Sequence, residues 1–283
     1  MRKEINFIGM SKGAFALSAL LVLFAAASLI RGVNWGIDFT GGTVAQIKFE
    51  QLSDIASLRQ AFSAHSPVIQ EFPGAKTFIL KFSQSEEITN ASIAEKLKAE
   101  YPDNPSEIER FEMVGPVVGE FLKQAAIYAF GGALLGIILY VALRFRGSIW
   151  GLAAVIAIIH DVIITFGILA ALGISVDLIV VTSLLFIAGY SVNDTIVIYD
   201  RLRENLRKAQ RQKTSSVFNS SITQTLSRTL ITSLTTAVVV VALFIFGGEI
   251  IHSFSLSLLI GIIVGTYSSI FVASPLVYYK LEK

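Results

Sequence analysis

IWGLAAVIAIIHDVIITFGILAAL, residues 149–172, is the stretch on which the fold turns. Its only ionisable side chains are His160 and Asp161. At 1.5 Å per residue a helix of this length reaches across a hydrocarbon core of about 30 Å, so the run reads as a membrane span. Working outward, five further apolar runs have comparable length: 13–31, 124–143, 176–199, 229–247 and 253–279. The expected fold is a polytopic α-helical membrane protein with six transmembrane helices. The bulk composition agrees, with 53% hydrophobic residues, 16% charged residues and a mean hydropathy of +0.66, whereas soluble domains carry about 25% charged residues. The first run, Phe15 to Ile30, has no small-x-small cleavage site before Arg31 and is expected to remain as a signal anchor.

The chain contains no cysteine, which removes disulfides, thiolate nucleophiles and cysteine-ligated metals and leaves the redox compartment open. A net charge of +2 is too small to imply a nucleic-acid partner. No metal or cofactor is expected.

The charges are informative through their distribution. If the amino terminus is cytoplasmic, Arg2, Lys3, Lys12, Arg144, Arg146, Arg201, Arg203, Arg207, Lys208, Arg211, Lys213, Lys280 and Lys283 all fall inside. The opposing short loops, Gly173 to Asp177 and Gly248 to His252, contain neither Lys nor Arg. Positive charge near span ends is retained inside, so both termini are expected in the cytoplasm and residues 32–123 outside it. The domain plan is then 1–31, the N-terminus and first span; 32–123, an extracytoplasmic domain; and 124–283, a five-helix block with a basic cytoplasmic loop at 200–228.

Residues 32–123 read as a small α+β unit. Thr43–Phe49 alternates as a strand, Ser53 is the expected cap of a helix over Ile55–Phe62, and Val68–Phe72 and Thr77–Phe82 flank a Pro73-Gly74 turn. A helix over Ala91–Tyr101 stops at Pro102, and Ile108–Val114 supplies a last strand. This βαββαβ order predicts a ferredoxin-like domain.

Ionisable groups inside spans are costly and mark ion or proton paths, or fixed internal partnerships. Asp194 permits two readings: a carboxyl that gains and loses a proton, or one held permanently by Arg228, Ser191 or Thr195. Asn193 sits beside it and is expected in the same proton relay. Asp161 offers the same choice. His160 is either a proton relay or a satisfied bundle histidine, and helical geometry separates it from Asp161 by about 100°, so the two are not expected to share one narrow face. Arg228 opens the fifth run, either as the electrostatic partner of Asp194 or as a snorkelling arginine. Gly132-x-x-x-Gly136 and Gly261-x-x-x-Gly265 read as close-packing surfaces.

Three segments resemble the SecF family: Gly36-Ile37-Asp38-Phe39-Thr40-Gly41-Gly42-Thr43; Ala188-Gly189-Tyr190-Ser191-Val192-Asn193-Asp194-Thr195-Ile196-Val197-Ile198-Tyr199-Asp200-Arg201; and Ser227-Arg228-Thr229-Leu230-Ile231-Thr232-Ser233-Leu234-Thr235-Thr236. In the first, Gly36, Gly41 and Gly42 suit a tight turn with positive φ that Asp38 caps. The resemblance implies a bacterial inner-membrane subunit, no enzyme, with SecD, the SecYEG channel, translocating preprotein and the lipid membrane as partners. It implies protons as the coupling ion in late-stage export, with Asp194 as the proton-responsive carboxyl and Arg228 in the same relay. Two rival readings are a non-conducting assembly scaffold and an intramembrane aspartyl protease using Asp161 and Asp194. The protease reading lacks the Gly-x-Gly-Asp context, since Ser191-Val192-Asn193 precedes Asp194.

Overall fold

A computed structural model describes residues 5–72, 76–83, 88–145, 148–209 and 212–282. The expected Pro73-Gly74 turn and the charges at Arg2, Lys3, Arg146, Arg211 and Lys283 lie outside the described residues. The chain divides into a helical unit, Met1–Asn34 with Tyr128–Lys283, and a second unit, Trp35–Ile127.

The second unit is built on four antiparallel strands, β1 (Gly42–Phe49), β2 (Val68–Phe72), β3 (Thr77–Phe82) and β4 (Ser106–Val114), in the spatial order β2-β3-β1-β4. Alternation drives it: Ala45, Ile47 and Phe49 of β1 and Phe78, Leu80 and Phe82 of β3 point to one buried face. Helix α3 (Ile55–Ala61) covers that face with Leu58, and α4 (Asn90–Glu100) covers it with Ile93 and Leu97. Helix α4 starts with a capping box in which Thr89 and Ser92 bond reciprocally. The N-cap of α3 is Asp54 rather than Ser53, and its side chain makes no capping bond.

The signature before β1 is one helical turn, α2 (Ile37–Thr40), followed by two glycines with positive φ, 67° at Gly41 and 125° at Gly42. A Cβ on Gly42 would stand 2.4 Å from the Phe82 carbonyl oxygen, so both conformation and space require glycine there. Gly36 differs from the expectation. Its φ is −70°, and its role is to cap α2 with its carbonyl, which accepts from the amides of Phe39 and Thr40.

The helical unit contains α1 (Phe7–Arg31), α5 (Pro116–Arg144) from Tyr128 onward, α6 (Ser148–Ala171), α7 (Leu178–Lys208), α8 (Thr214–Phe246), α9 (Gly248–Ser268) and α10 (Ser274–Leu281). Six helices among the described residues are long and apolar enough to cross a membrane, with α9 and α10 counting as one. Their ends depart from the expected ones. Most of the basic segment 200–228 is helical: α7 continues through Lys208 and α8 starts at Thr214. Charge made this segment look like a connector. Ion pairs Arg201–Glu204 and Lys208–Glu204, at i,i+3 and i,i+4, instead support a helix protruding beyond the apolar run. Arg228 therefore lies inside α8 rather than at its start.

The last span is also interrupted, by a π-helical segment at Ser269–Ala273. The cause is Pro275, whose ring has no N–H and crowds the carbonyl four residues back. The Ser274 hydroxyl also donates to the Ser269 carbonyl at 2.9 Å, across the widened turn.

Close helix crossings are set by glycine. An added Cβ on Gly167 of α6 would lie 2.2 Å from Ala25 Cβ of α1, and one on Gly261 of α9 would lie 2.3 Å from the Ile187 side chain of α7. Gly265 meets Ser191 in the same way at 3.1 Å. Among the described residues Gly132 and Gly136 meet nothing within 4 Å, so of the two expected close-packing pairs Gly261 and Gly265 are the ones that pack there. Gly167→Leu should therefore lower the stability of the isolated chain by about 1–3 kcal/mol or more, while Gly132→Leu leaves it within about 0.5 kcal/mol. Thermal unfolding in detergent compares the two, and equal effects would contradict the packing described.

Candidate functional site

Asp161 is fully buried where α6, α7 and α9 meet. Its Oδ2 accepts from the Ser191 hydroxyl at 2.5 Å and from the Ser268 hydroxyl at 2.7 Å, and its Oδ1 bonds His160 Nδ1 at 2.8 Å. One carboxylate thus ties three helices. The sequential neighbours His160 and Asp161 were expected to diverge, and their Cβ atoms do leave the helix in different directions. The imidazole is long enough to swing sideways and close the gap. Its outer face stacks on Tyr267 of α9, with ring centroids 6.4 Å apart. Tyr267 in turn donates to the Ala14 carbonyl of α1 at 2.7 Å and pairs with Ser18 at 3.0 Å.

Asp194 occupies a different setting on α7. It is 2% exposed, and its carboxylate accepts one hydrogen bond, a long one of 3.3 Å from Ser233 of α8. The Ser233 hydroxyl also pairs with Thr266 of α9 at 2.7 Å. The two other candidate partners are engaged elsewhere. Ser191 bonds Asp161, and Thr195 pairs with Ser269 at 2.9 Å. Among the described residues no ion pair reaches Asp194, Arg228 included. Arg228 is exposed five residues before Ser233 and lines a cleft of about 320 Å³ with Asp200, Arg201, Glu204 and Gln224. Asn193 is exposed on the outer surface of α7. The structure therefore brings His160 and Asp161 together, places Asp194 in its own hydroxyl cluster, and leaves Arg228 and Asn193 at the surface of this chain.

The comparisons with known proteins follow this geometry. The family model described as "Protein export membrane protein SecD/SecF, C-terminal" matches residues 93–283, and the SecD/SecF GG motif matches residues 26–51. Protein translocase subunit SecF of Escherichia coli O157:H7 is 44% identical over 285 residues, covering 97% of this chain and 87% of that protein. The SecF of Endomicrobium trichonymphae is 38% identical, covering 97% and 90%. The chain belongs to the SecF family. The crystal structure of SecDF from Thermus thermophilus, a translocon-associated membrane protein, superposes with a TM-score of 0.91 at 35% identity over 100% of this chain. This chain spans only 39% of that one. A multi-pass membrane protein of this family accounts for the six apolar helices and for the buried carboxylates between them.

Several participants were not singled out from sequence. Ser233, Thr266, Ser268 and Ser269 are hydroxyl residues of ordinary type in apolar helices, and only their packing reveals them. The available signal was hydroxyls clustered at 266–269 directly before the proline-bearing turn. The saturated state of Asp161 makes a direct prediction. Asp161→Ala strands the Ser191 hydroxyl and an imidazole nitrogen in a buried site, leaves Ser268 only the Gly265 carbonyl, and should destabilise the chain by about 2–4 kcal/mol. Asn193→Ala, on an exposed face, should shift stability by less than about 0.5 kcal/mol. Melting of the two variants in the same detergent decides it.

Proposed function

We propose that this chain is the SecF-type subunit of a bacterial preprotein translocase. With a SecD-type partner and a SecYEG-type channel, it uses the proton motive force to drive the late stage of export. In this reading the protein lies in the inner membrane with both termini in the cytoplasm. The sheet-bearing unit, whose β2-β3-β1-β4 order suits a ferredoxin-like domain, faces the other side and meets emerging preprotein. The coupling ion is the proton, and no enzymatic step on a covalent bond is involved.

The observation that carries the proposal is the setting of Asp194. A carboxyl at 2% exposure with one long hydrogen bond has its charge incompletely compensated, so its two protonation states interact differently with their surroundings. Ionised, it accepts from Ser233. Protonated, it becomes a donor and competes for the hydroxyl pair Ser233–Thr266 that joins α8 to α9. A proton arriving at Asp194 thus changes which contacts are favoured among α7, α8 and α9, the differential interaction that a two-state machine requires. Arg228, on the same helix as Ser233 and open to the cleft, acts as the mobile cation that answers the charge on Asp194. Asn193 faces outward at the same level and belongs to the surface that meets the SecD-type partner.

The protease reading fits poorly, because Asp161 and Asp194 share no hydrogen-bond partner and each is engaged in its own cluster. Aspartyl chemistry needs two carboxyls that hold one proton between them.

Asp194→Asn should leave the complex assembled and reduce proton-gradient-dependent preprotein release from energised vesicles at least about tenfold, with Arg228→Ala giving a smaller loss in the same direction. Normal release by the Asp194→Asn protein would replace this reading with that of a non-conducting scaffold.

A further inference from the structure

His160 and Asp161 are not used by the mechanism above, yet their arrangement is a complete proton-accepting pair. Both Oδ2 contacts of Asp161 come from hydroxyl donors, Ser191 and Ser268, so that oxygen is an acceptor. An ionised Asp161 can only accept, so the tautomer that completes the set has Nδ1–H of His160 donating to Oδ1 and the imidazole lone pair on Nε2. Nε2 is buried, His160 is 8% exposed, and among the described residues no protein group bonds that atom. A buried acceptor without a donor is rare and calls for a function.

We propose that His160 and Asp161 form a second proton-binding centre in this chain, with Nε2 of His160 as the atom that takes the proton and Asp161 as its counter-ion. The proton adds to the Nε2 lone pair and gives an imidazolium. Nδ1–H stays on Asp161 Oδ1, and the pair passes from a net charge of −1 to 0 with no other bond broken. Inside a bundle the neutral pair removes an uncompensated charge.

The groups facing the pair place it at a mechanical junction. From α9 Tyr267 stacks on the imidazole and Ser268 bonds the carboxylate; from α7 comes Ser191; from α1, Ala14 and Ser18 hold the Tyr267 hydroxyl. Tyr267 is the titratable group among these. Lys12 of α1 is exposed, and Asp194 of α7 bonds Ser233 instead. Gly265, one turn before Ser268, lets α9 ride directly on Ser191, and the π segment begins at Ser269. A proton on His160 therefore alters an electrostatic contact at the point where α1, α6, α7 and α9 converge. π segments of this kind are the places where a helix most readily changes register.

The chain has three histidines, and replacing His65 and His252 by glutamine leaves His160 as its one imidazole. Nitrogen-15 resonances of that imidazole, recorded on the full chain in lipid nanodiscs between about pH 5 and 9, read its protonation directly. The expected result is a shift of Nε2 from the unprotonated to the imidazolium position in this range. The change should be altered in Asp161→Asn and unaltered in Asp194→Asn, which keeps this outcome independent of the fate of the Asp194 proposal. An imidazole that holds one neutral tautomer throughout would overturn the proposal, as would a titration indifferent to Asp161→Asn. The first readout needs no change at the pair, so it stands even if Asp161→Asn does not fold.

Discussion

The helical unit hangs on a requirement that hydrocarbon imposes: a carboxylate between spans has to find its hydrogen bonds inside the protein. Asp161 meets it by drawing donors from three directions, and each donor fixes a helix. Ser191 positions α7, Ser268 positions α9, and His160 turns its ring toward Tyr267, which reaches α1. The close crossing of α9 over α7 at Gly261 and Gly265 follows from the same need, because a 2.5 Å bond from Ser191 and a 2.7 Å bond from Ser268 to one oxygen leave no room for bulk between those helices.

The two buried aspartates differ in how fully they are satisfied, and that difference separates their roles. Asp161 is saturated by three partners and buried completely. Asp194, one helix away, makes do with a single 3.3 Å contact to a serine that is already paired with Thr266. A saturated group resists change, and an under-supplied one responds to it. At Asp194 the carboxyl itself is under-supplied, whereas beside the saturated Asp161 the open position is Nε2 of His160. Beyond Asp194, Tyr199 packs edge to face on Phe145, the residue after α5, and on Trp150 of α6.

The six spans were legible because length and apolarity are local properties of sequence, and the strand positions because alternation is. Val68–Phe72 and Thr77–Phe82 fall where the pattern put them. The helix ends were less legible. Residues 200–228 look like a loop when charge is taken as a sign of a connector, whereas a helix projecting from a membrane carries charge on every turn. Of the site, the acids were visible and their partners were not. Ser191 and Thr195 were read as companions of Asp194 because they flank it in sequence. On a helix Thr195 leaves about 100° round from Asp194 and Ser191 only about 60°, yet their hydroxyls find nearer acceptors, Ser191 at Asp161 and Thr195 at Ser269. Sequence proximity identified the right residues and the wrong pairing.

What the chain leaves open on its own surface completes the physical picture. Helix α5 buries little beyond Val141, and Ile127, Leu135, Leu139 and Leu143 of α5 and Ile231, Leu234 and Val238 of α8 are exposed on the described surface. Lipid satisfies such faces as well as protein does, so apolarity alone assigns no neighbour. The polar exceptions are more telling: Asn193 and Arg228 are exposed on the same two helices, α7 and α8, that hold Asp194 and Ser233 between them. A lone amide and a guanidinium facing hydrocarbon are costly, and either a polar neighbour or water in a cleft relieves that cost. The Asp194 cluster thus lies just inside a surface whose chemistry calls for a polar environment.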